Sequence, residues 1–145
     1  MPPISETYAA TIVKVKVSFG FSHFDCSPDE ISNALGLTPD HLLVKGEKRM
    51  IRSGHEVVNK WNSWSIDSQT DSKDVNEHIR ELLERLQAVA KSIRPGWDPS
   101  FNVVWKGNYL YAGSGPFYER DVVAGISALG AELWQDIYQV DEPEA

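Results

Sequence analysis

The stretch that decides the fold is Ser27–Leu37, which reads Ser-Pro-Asp-Glu-Ile-Ser-Asn-Ala-Leu-Gly-Leu. Ser27 is a favoured N-cap residue, because its hydroxyl can accept a hydrogen bond from a backbone N–H of the first turn. Pro28 follows at the first helical position, where a missing N–H costs nothing. Glu30 lies three residues after Ser27 and completes the pattern of a capping box. The stretch therefore predicts a helix that begins at Pro28.

The same stretch carries the signal that ends this helix. Gly36 can adopt the left-handed conformation of a helix C-terminus, and Leu37 can fold back onto the last turn. Cys26 and Ile31 flank the capping box at the spacing of a hydrophobic staple, which fixes how the chain enters the helix. The sequence thus predicts a short helix over Pro28–Leu35 and gives Cys26 a packing role.

Two strong periodicities lie on either side of this helix. Residues Thr11–Ser22 alternate between apolar and polar side chains, which is typical of a strand with one buried face. Residues Asp71–Arg94 place apolar side chains three and four positions apart, which predicts a long amphipathic helix. Asp71 or Ser72 can cap that helix, and Pro95-Gly96 ends it.

The remaining elements follow from shorter signals. Leu42–Val44 and Val57–Asp67 are typical of strands, and the basic segment Lys45–Arg52 between them is predicted to be an exposed loop. Further predictions are a hairpin of Phe101–Trp105 with Tyr109–Ala112 around Gly107-Asn108, a helix over Glu119–Leu129 and a strand over Glu132–Val140.

A degenerate repeat connects the two ends of the chain. Ile31–Leu37 and Ile126–Ala131 each end a helix in Leu-Gly, which indicates either two similar strand-helix-strand halves or a coincidence. Helices on one face of a curved, mainly antiparallel sheet would bury every apolar stripe, so the predicted class is α+β with about three helices. The length of 145 residues fits one domain, 1–145, with frayed ends near 1–8 and 141–145.

The composition limits the classes of function. The formal net charge of −7 disfavours sequence-independent binding to nucleic acid, whose phosphates repel an acidic surface, and it favours a basic partner. A single cysteine excludes an intramolecular disulfide, which fits a reducing compartment. No segment resembles a signal peptide or supplies the roughly 20 apolar residues that cross a bilayer. The sequence therefore predicts a soluble cytoplasmic protein with no membrane partner.

Several short motifs follow one another in a characteristic order. They are Phe24-Asp25, Ser27–Ile31, Leu35–Pro39, Lys45-Gly46-Glu47, Trp64-Ser65-Ile66, Leu129-Gly130 and Asp136-Ile137-Tyr138. In this order and spacing the chain resembles the bacterial family called domain of unknown function 4279, over nearly its whole length. The resemblance implies no known activity and no catalytic residues. Small proteins of this kind often occur beside bacterial toxin genes, so the resemblance implies an immunity role by analogy alone.

The densest set of reactive groups is His23-Phe24-Asp25-Cys26, which holds a base, a carboxylate and a thiol. Cys26 also precedes a helix N-terminus, which can activate a thiolate. Neighbours in sequence need not form a triad in space, so packing remains the favoured role of Cys26. The alternative function is a small-molecule binding domain or minor hydrolase with a pocket near His23, Asp25 and Cys26.

Metal and nucleotide sites are not expected. The histidines His23, His41, His55 and His78 lack the spacing of metal ligands, and one cysteine cannot build a thiolate site. Residues Gly113–Pro116 precede a helix but match neither a dinucleotide-binding pattern nor a P-loop. We therefore expect no metal ion and no cofactor.

Aromatic residues are the remaining functional signal, since the chain has five tryptophans. Trp64 shares the parity of Ile66 and is assigned to the core, whereas Trp61 has the opposite parity. Aromatic residues on a wetted sheet face are candidate anchors for a protein partner, unless a loop or helix covers them; the sequence leaves both open.

The leading hypothesis is a non-enzymatic binding protein, specifically an immunity-type inhibitor that neutralises a cognate toxin by direct contact. It is based on the resemblance, the net charge, the acidic C-terminal segment from Glu132 and the lack of a complete catalytic set. The candidate partner-binding residues are Trp61, Asp67, Asp71, Tyr111 and Glu119. A structural module that dimerises through a strand edge is a third hypothesis.

Overall fold

Seven strands and three helices follow one another in the computed structural model, which describes residues 12–108 and 115–140. The strands are β1 (Ile12–Ser22), β2 (His41–Leu43), β3 (Lys48–Met50), β4 (Glu56–Val58), β5 (Ser63–Asp67), β6 (Ser100–Gly107) and β7 (Glu132–Gln139). The helices are α1 (Pro28–Leu35), α2 (Val75–Gln87) and α3 (Arg120–Ala128), and a short 3₁₀ helix spans Ala90–Ser92. The predicted frayed ends and residues 109–114 lie outside the described residues.

The main sheet has five strands in the order β2-β5-β1-β6-β7. Every pair is antiparallel except β6 and β7, which are parallel. The three helices cover one face of this sheet, and β3 and β4 form a separate two-stranded sheet. The predicted α+β class with a mainly antiparallel sheet is confirmed.

The core lies between the helices and one face of the main sheet, whose middle strand is β1. From Val15 to Phe21 the alternating apolar side chains of β1 lie in this core, as predicted, whereas at the irregularity between Ile12 and Lys14 the buried side chain is that of Ile12. Phe19 contacts Phe101 with ring centroids 5.0 Å apart, and Phe21 contacts Trp64 at 5.6 Å. Burial of one such ring contributes about 1.5–3 kcal/mol, so these four residues hold the centre of the sheet to the helices.

Helix α1 has the predicted boundaries. The Ser27 hydroxyl accepts a hydrogen bond from the N–H of Asp29 at 3.3 Å, and Gly36 ends the helix with φ of 65°. The Glu30 carboxylate lies 3.4 Å from Arg94. Because Arg94 approaches from a distant part of the chain and engages this carboxylate, Glu30 has a tertiary partner that the local pattern does not reveal.

The two longer helices differ from the sequence prediction mainly at their ends. Helix α2 is shorter than predicted, and Asp74 caps it through a hydrogen bond from the N–H of Asn76 at 2.9 Å. Asp71 and Ser72 precede this cap, so the prediction that one of them caps the helix is wrong. Helix α3 matches its prediction within one residue at each end.

Two segments differ in their strand pairing. The basic segment, predicted to be a loop, contributes β3, which pairs with β4 as a short antiparallel hairpin. The single strand predicted over Val57–Asp67 is divided between β4 and β5, which belong to different sheets. Strand β6 pairs with β1 and β7, and residues 109–112, the predicted hairpin partner of this strand, lie outside the described residues. The sequence of β3, Lys48–Met50, is short and mostly charged, so it shows no apolar alternation.

The two halves share a strand-helix-strand plan in which the strands run parallel. In the second half, β6 and β7 are direct neighbours across α3. In the first half, β1 and β2 also run parallel, but β5 lies between them. In both halves the two strands therefore run parallel, but they are direct neighbours in the sheet only in the second half.

Candidate functional site

The face of the sheet opposite the helices is open and polar in the described part of the chain. A cleft of about 500 Å³ lies on this face. Its lining residues are Ser18, Gly20, Phe21, Ser22, His23, Ser63, Trp64, Ser65, Asp98, Ser100, Asn102, Glu132 and Trp134. Five serines and an asparagine thus replace the apolar side chains of the helix-covered face.

Strand register brings these residues together from four strands. Gly20 pairs with Ser65 on β5 and with Ser100 on β6, and Ser100 pairs with Glu132 on β7. Side chains of paired residues share one face, so these positions form one row across the sheet. With strands about 4.8 Å apart, Ser65 and Ser100 lie roughly 10 Å apart on either side of Gly20.

Gly20 is the low point of the cleft floor. A Cβ atom built on Gly20 would lie 2.3 Å from the backbone oxygen of Trp64 and 2.7 Å from the Cβ of Ser65. Such distances are far below van der Waals contact, so β1 and β5 approach each other too closely for any side chain at this position. Glycine therefore allows the close strand pairing and leaves the middle of the cleft empty.

Two loop residues with unusual backbone conformations border the cleft. His23 has φ of 62° and Asp98 has φ of 50°, and both are non-glycine residues in the left-handed region. The His23 ring stacks on Trp61 with centroids 4.9 Å apart, and its Nδ1 lies 3.1 Å from the Ser22 hydroxyl. Left-handed backbone is costly for residues with side chains and concentrates at functional sites, which makes this cleft the first place to look for function.

The second exposed feature is β7, the last strand of the sheet. Trp134 is 62% exposed and Tyr138 is 51% exposed, and both lie on the open face. The indole N–H of Trp134 donates to the carboxylate of Glu132 at 2.9 Å, and Lys106 lies over the Tyr138 ring at 5.8 Å. Strand β7 therefore presents two aromatic rings in defined positions, with carboxylates beside them.

The outer edge of β7 carries backbone groups that point away from the sheet. Glu132 N–H donates to the Pro99 carbonyl and Val140 N–H to the Gly107 carbonyl, both at 3.0 Å. In a parallel pair the bonding residues alternate, so even-numbered residues of β7 bond to β6. The outward-pointing peptide groups are those of Leu133, Gln135 and Ile137. Among the described strands, none pairs with this side.

The opposite edge of the sheet is much smaller. Strand β2 has three residues, whereas β7 has eight. Short edge strands are a common protection against unwanted strand pairing. The long β7 edge lacks that protection.

The structure separates the predicted partner-binding residues. Trp61 is 44% exposed at the end of the sheet where β5 begins, whereas Asp67 lies at the other end of β5. The Asp67 carboxylate is 2.8 Å from Nε2 of His41, and the Asp67 N–H donates to Asp40 at 2.7 Å. Asp67 therefore has internal partners that hold β2 against β5.

The other predicted contacts lie elsewhere. Asp71 is exposed in the loop before α2. The Glu119 backbone precedes α3, and its carboxylate lies 3.1 Å from Arg80 on α2. Tyr111 lies outside the described residues. The four described residues, Trp61, Asp67, Asp71 and Glu119, do not form one patch. The exposed pair on β7, Trp134 and Tyr138, was not among the predicted contacts, although the predicted last strand places both on one face.

Arg80 joins α2 to α3 through two carboxylates. It donates to both carboxylate oxygens of Asp121 at 2.9 Å, in addition to its contact with Glu119. The hydrogen bonds that Arg80 donates lower the pKa of Asp121, and donating them to Asp121 and Glu119 raises the pKa of Arg80. This exposed cluster orients the two helices and is not part of the cleft.

The alternative site near His23, Asp25 and Cys26 is divided in the structure. His23 borders the cleft, whereas Asp25 is exposed outside it and Cys26 is half-buried against the core. Asn62 holds this loop, because its Nδ2 donates to the carbonyls of Phe24 and Cys26 at 3.0 and 3.3 Å. The packing role predicted for Cys26 agrees with this environment.

The described residues contain no group of three or more His, Cys, Asp or Glu side chains placed to hold a metal ion. Within the same residues, no helix has the length and apolar character needed to cross a membrane.

The fold and the cleft together define an α+β protein with one covered and one open sheet face. The chain belongs to the family described as Domain of unknown function (DUF4279), whose model matches residues 13–140. The predicted family is thereby confirmed. Searches of curated proteins and of solved structures give no match.

Proposed function

We propose that this chain is a non-catalytic binding protein that docks a basic protein partner on the β7 edge. The observation that carries the proposal is the exposed, eight-residue β7 with outward peptide groups and the aromatic residues Trp134 and Tyr138. An extended segment of a partner can add to such an edge, because main-chain hydrogen bonds supply affinity and side chains supply specificity. Trp and Tyr are the residues that most often dominate binding energy.

Charge indicates what kind of partner fits. Glu132 and Asp136 lie on the same face of β7 as the two aromatic rings, and the chain has a net charge of −7. Lysine or arginine side chains on an incoming strand would meet these carboxylates and the ring faces. A second copy of the chain would bring its own Glu132 and Asp136 to the same surface, so charge favours a basic partner over self-pairing.

The biological form of this proposal is an immunity-type inhibitor that neutralises a cognate toxin in the bacterial cytoplasm. It is supported by the acidic, aromatic edge and by the analogy with small single-domain proteins beside toxin genes. The inhibitor would act by occluding a basic surface of the toxin, and no catalytic group is required.

The test is a proline substitution at an outward-pointing position. Ile137→Pro removes one N–H from the free edge and leaves the β6–β7 hydrogen bonds in place. Ile137→Val is the matched control, because it retains the N–H. A partner captured from the native host is then purified, and its dissociation constant is measured with each variant and with Trp134→Ala.

We expect Ile137→Val to bind like the natural chain and the other two variants to bind at least about tenfold more weakly, a loss of about 1.4 kcal/mol. Thermal unfolding verifies that each variant is folded. If Ile137→Pro and Trp134→Ala bind the partner as tightly as the natural chain does, docking at β7 is refuted. If the partner is a toxin, co-expression of the natural chain restores growth and co-expression of Ile137→Pro does not.

A further inference from the structure

The cleft on the open face differs from the β7 edge in shape and in chemistry. Its volume of about 500 Å³ lies within the range of small-molecule sites. Its middle is left empty by Gly20, and Trp134 stands at one side. We propose that this cleft binds one or two rings of a neutral oligosaccharide, held by the floor hydroxyls and packed against the indole of Trp134. The cleft shares Trp134 and Glu132 with the surface proposed to dock a partner on β7, but saccharide binding does not require that partner.

The floor offers hydrogen-bonding groups of both kinds. Each serine hydroxyl can donate one hydrogen bond and accept two, and the Asn102 amide adds donors and an acceptor. Asn102 already donates to the Ser100 hydroxyl at 3.2 Å and Ser22 lies 3.1 Å from His23, which leaves these groups part of their capacity. Sugar hydroxyls also donate and accept, so they can bond to such a floor in several directions. Strand spacing of about 4.8 Å and the two-residue repeat along each strand spread these groups over an area. A ligand with one polar end would leave most of them unused.

The charges around the cleft exclude one class of ligand and fit another. No lysine or arginine lines the cleft, and the carboxylates of Asp98 and Glu132 do. These carboxylates repel phosphates and carboxylic acids, and they accept strong hydrogen bonds from hydroxyl groups. An amine would meet the carboxylates at the border but would leave the neutral serine floor without a partner. A neutral polyhydroxylated ligand uses both parts.

Trp134 supplies the apolar surface that such a ligand needs. The hydrogen bond from its indole N–H to Glu132 holds the ring at the border of the cleft, and the ring is 62% exposed. A ring already fixed in place loses little rotational freedom when a ligand packs on it. The C–H face of a sugar ring can pack on this indole while its hydroxyls bond to Ser100 and Asn102, which lie on the adjacent strand.

Titration followed by two-dimensional nitrogen-proton NMR tests the proposal. The probes are maltotriose, cellotriose and chitotriose, with inorganic phosphate and n-butylamine, which is protonated at neutral pH, as anionic and cationic controls. We expect at least one trisaccharide to shift the amide signals of Gly20 and Ser65 and the indole signal of Trp134 in a saturable way. Trp134→Ala should weaken that binding about tenfold or more, and Tyr138→Ala, on the same strand outside the cleft, should leave it unchanged.

The proposal is overturned if none of the three trisaccharides gives saturable shifts at millimolar concentration. It is also overturned if phosphate or n-butylamine alone binds, or if Trp134→Ala binds the trisaccharide as tightly as the natural chain does. Tyr138→Ala and Ile137→Pro distinguish a failure of this proposal from a failure of the proposed docking at β7. Both variants remove parts of the β7 docking surface and leave every cleft residue in place.

Discussion

Substitution of Gly20 by alanine tests whether the cleft floor depends on close strand pairing. The new Cβ would lie 2.3 Å from the Trp64 backbone oxygen, whereas a carbon-to-oxygen contact of this kind is normally about 3.3 Å or longer. Strands β1 and β5 would have to separate by about 1 Å. The obstacle is backbone in the middle of a five-stranded sheet, so no rotamer change can relieve it.

Overpacking of this kind costs about 1–3 kcal/mol, and a backbone obstacle favours the upper end of that range. A gain of about 0.4–1 kcal/mol from the stiffer unfolded chain offsets part of the cost. We therefore expect Gly20→Ala to lower the free energy of unfolding by about 2 kcal/mol. Because a chain of this size loses about 2–4 °C in Tm per kcal/mol, the melting temperature should fall by about 4–8 °C. Urea denaturation and thermal circular dichroism measure both quantities.

Gly125→Ala is the matched control. Its Cβ would also be crowded, at 2.5 Å from Cδ1 of Leu83, but this atom is the end of a flexible side chain beside an open groove between α2 and α3. Alanine also gains about 1 kcal/mol of helix propensity in α3. We expect a change within about 1 kcal/mol. If Gly20→Ala costs no more than Gly125→Ala, the argument for a rigid close approach of β1 and β5 is wrong.

Three further predictions concern side chains that join separate elements. Asn62→Ala should lose about 1–3 kcal/mol in urea denaturation, because it leaves buried carbonyls of the loop before α1 without a donor. Trp64→Phe should lose about 1–3 kcal/mol in the same assay, since it opens a gap in the core and removes the 2.9 Å hydrogen bond to Ser32; equal stability would contradict this role. Arg80→Met should be slightly less stable than the natural chain at pH 7. Because Arg80 lowers the pKa of Asp121 in the folded chain, its stabilisation is present above the unfolded pKa and is lost as the pH falls through the lowered one. Denaturation at pH 7 and near pH 2 should show the gap between the two proteins closing in acid, and an unchanged gap would contradict the assignment.

Local signals in the sequence were sufficient for the parts of the fold that local chemistry determines. The alternation in β1 and the cap and glycine of α1 are properties of neighbouring residues, and both elements were predicted correctly. The pairing of β3 with β4 was not predicted, because Lys48–Met50 shows no apolar alternation and looks like an exposed loop.

The cleft could not be predicted from the sequence for a different reason. Its central row joins Ser65, Gly20, Ser100 and Glu132, and only strand register places these distant residues side by side. Parity can show which residues of one strand share a face. It cannot show which strand lies next to which, so the serines of three strands could not be assembled into one floor before the sheet order was known.

The position of β1 at the centre of the sheet has a consequence for how the chain is made. Ser22 pairs with Ser63 and Ile12 with Gly107, so β1 is synthesised long before the strands with which it pairs. During translation both edges of β1 remain unpaired until β5 and then β6 are synthesised. Its apolar face is exposed during that time. Contacts between residues so distant in sequence slow folding and prolong the exposure of apolar surface to other nascent chains. The capped helix α1, which follows at once, can form locally and shield part of that strand while the rest of the chain is synthesised.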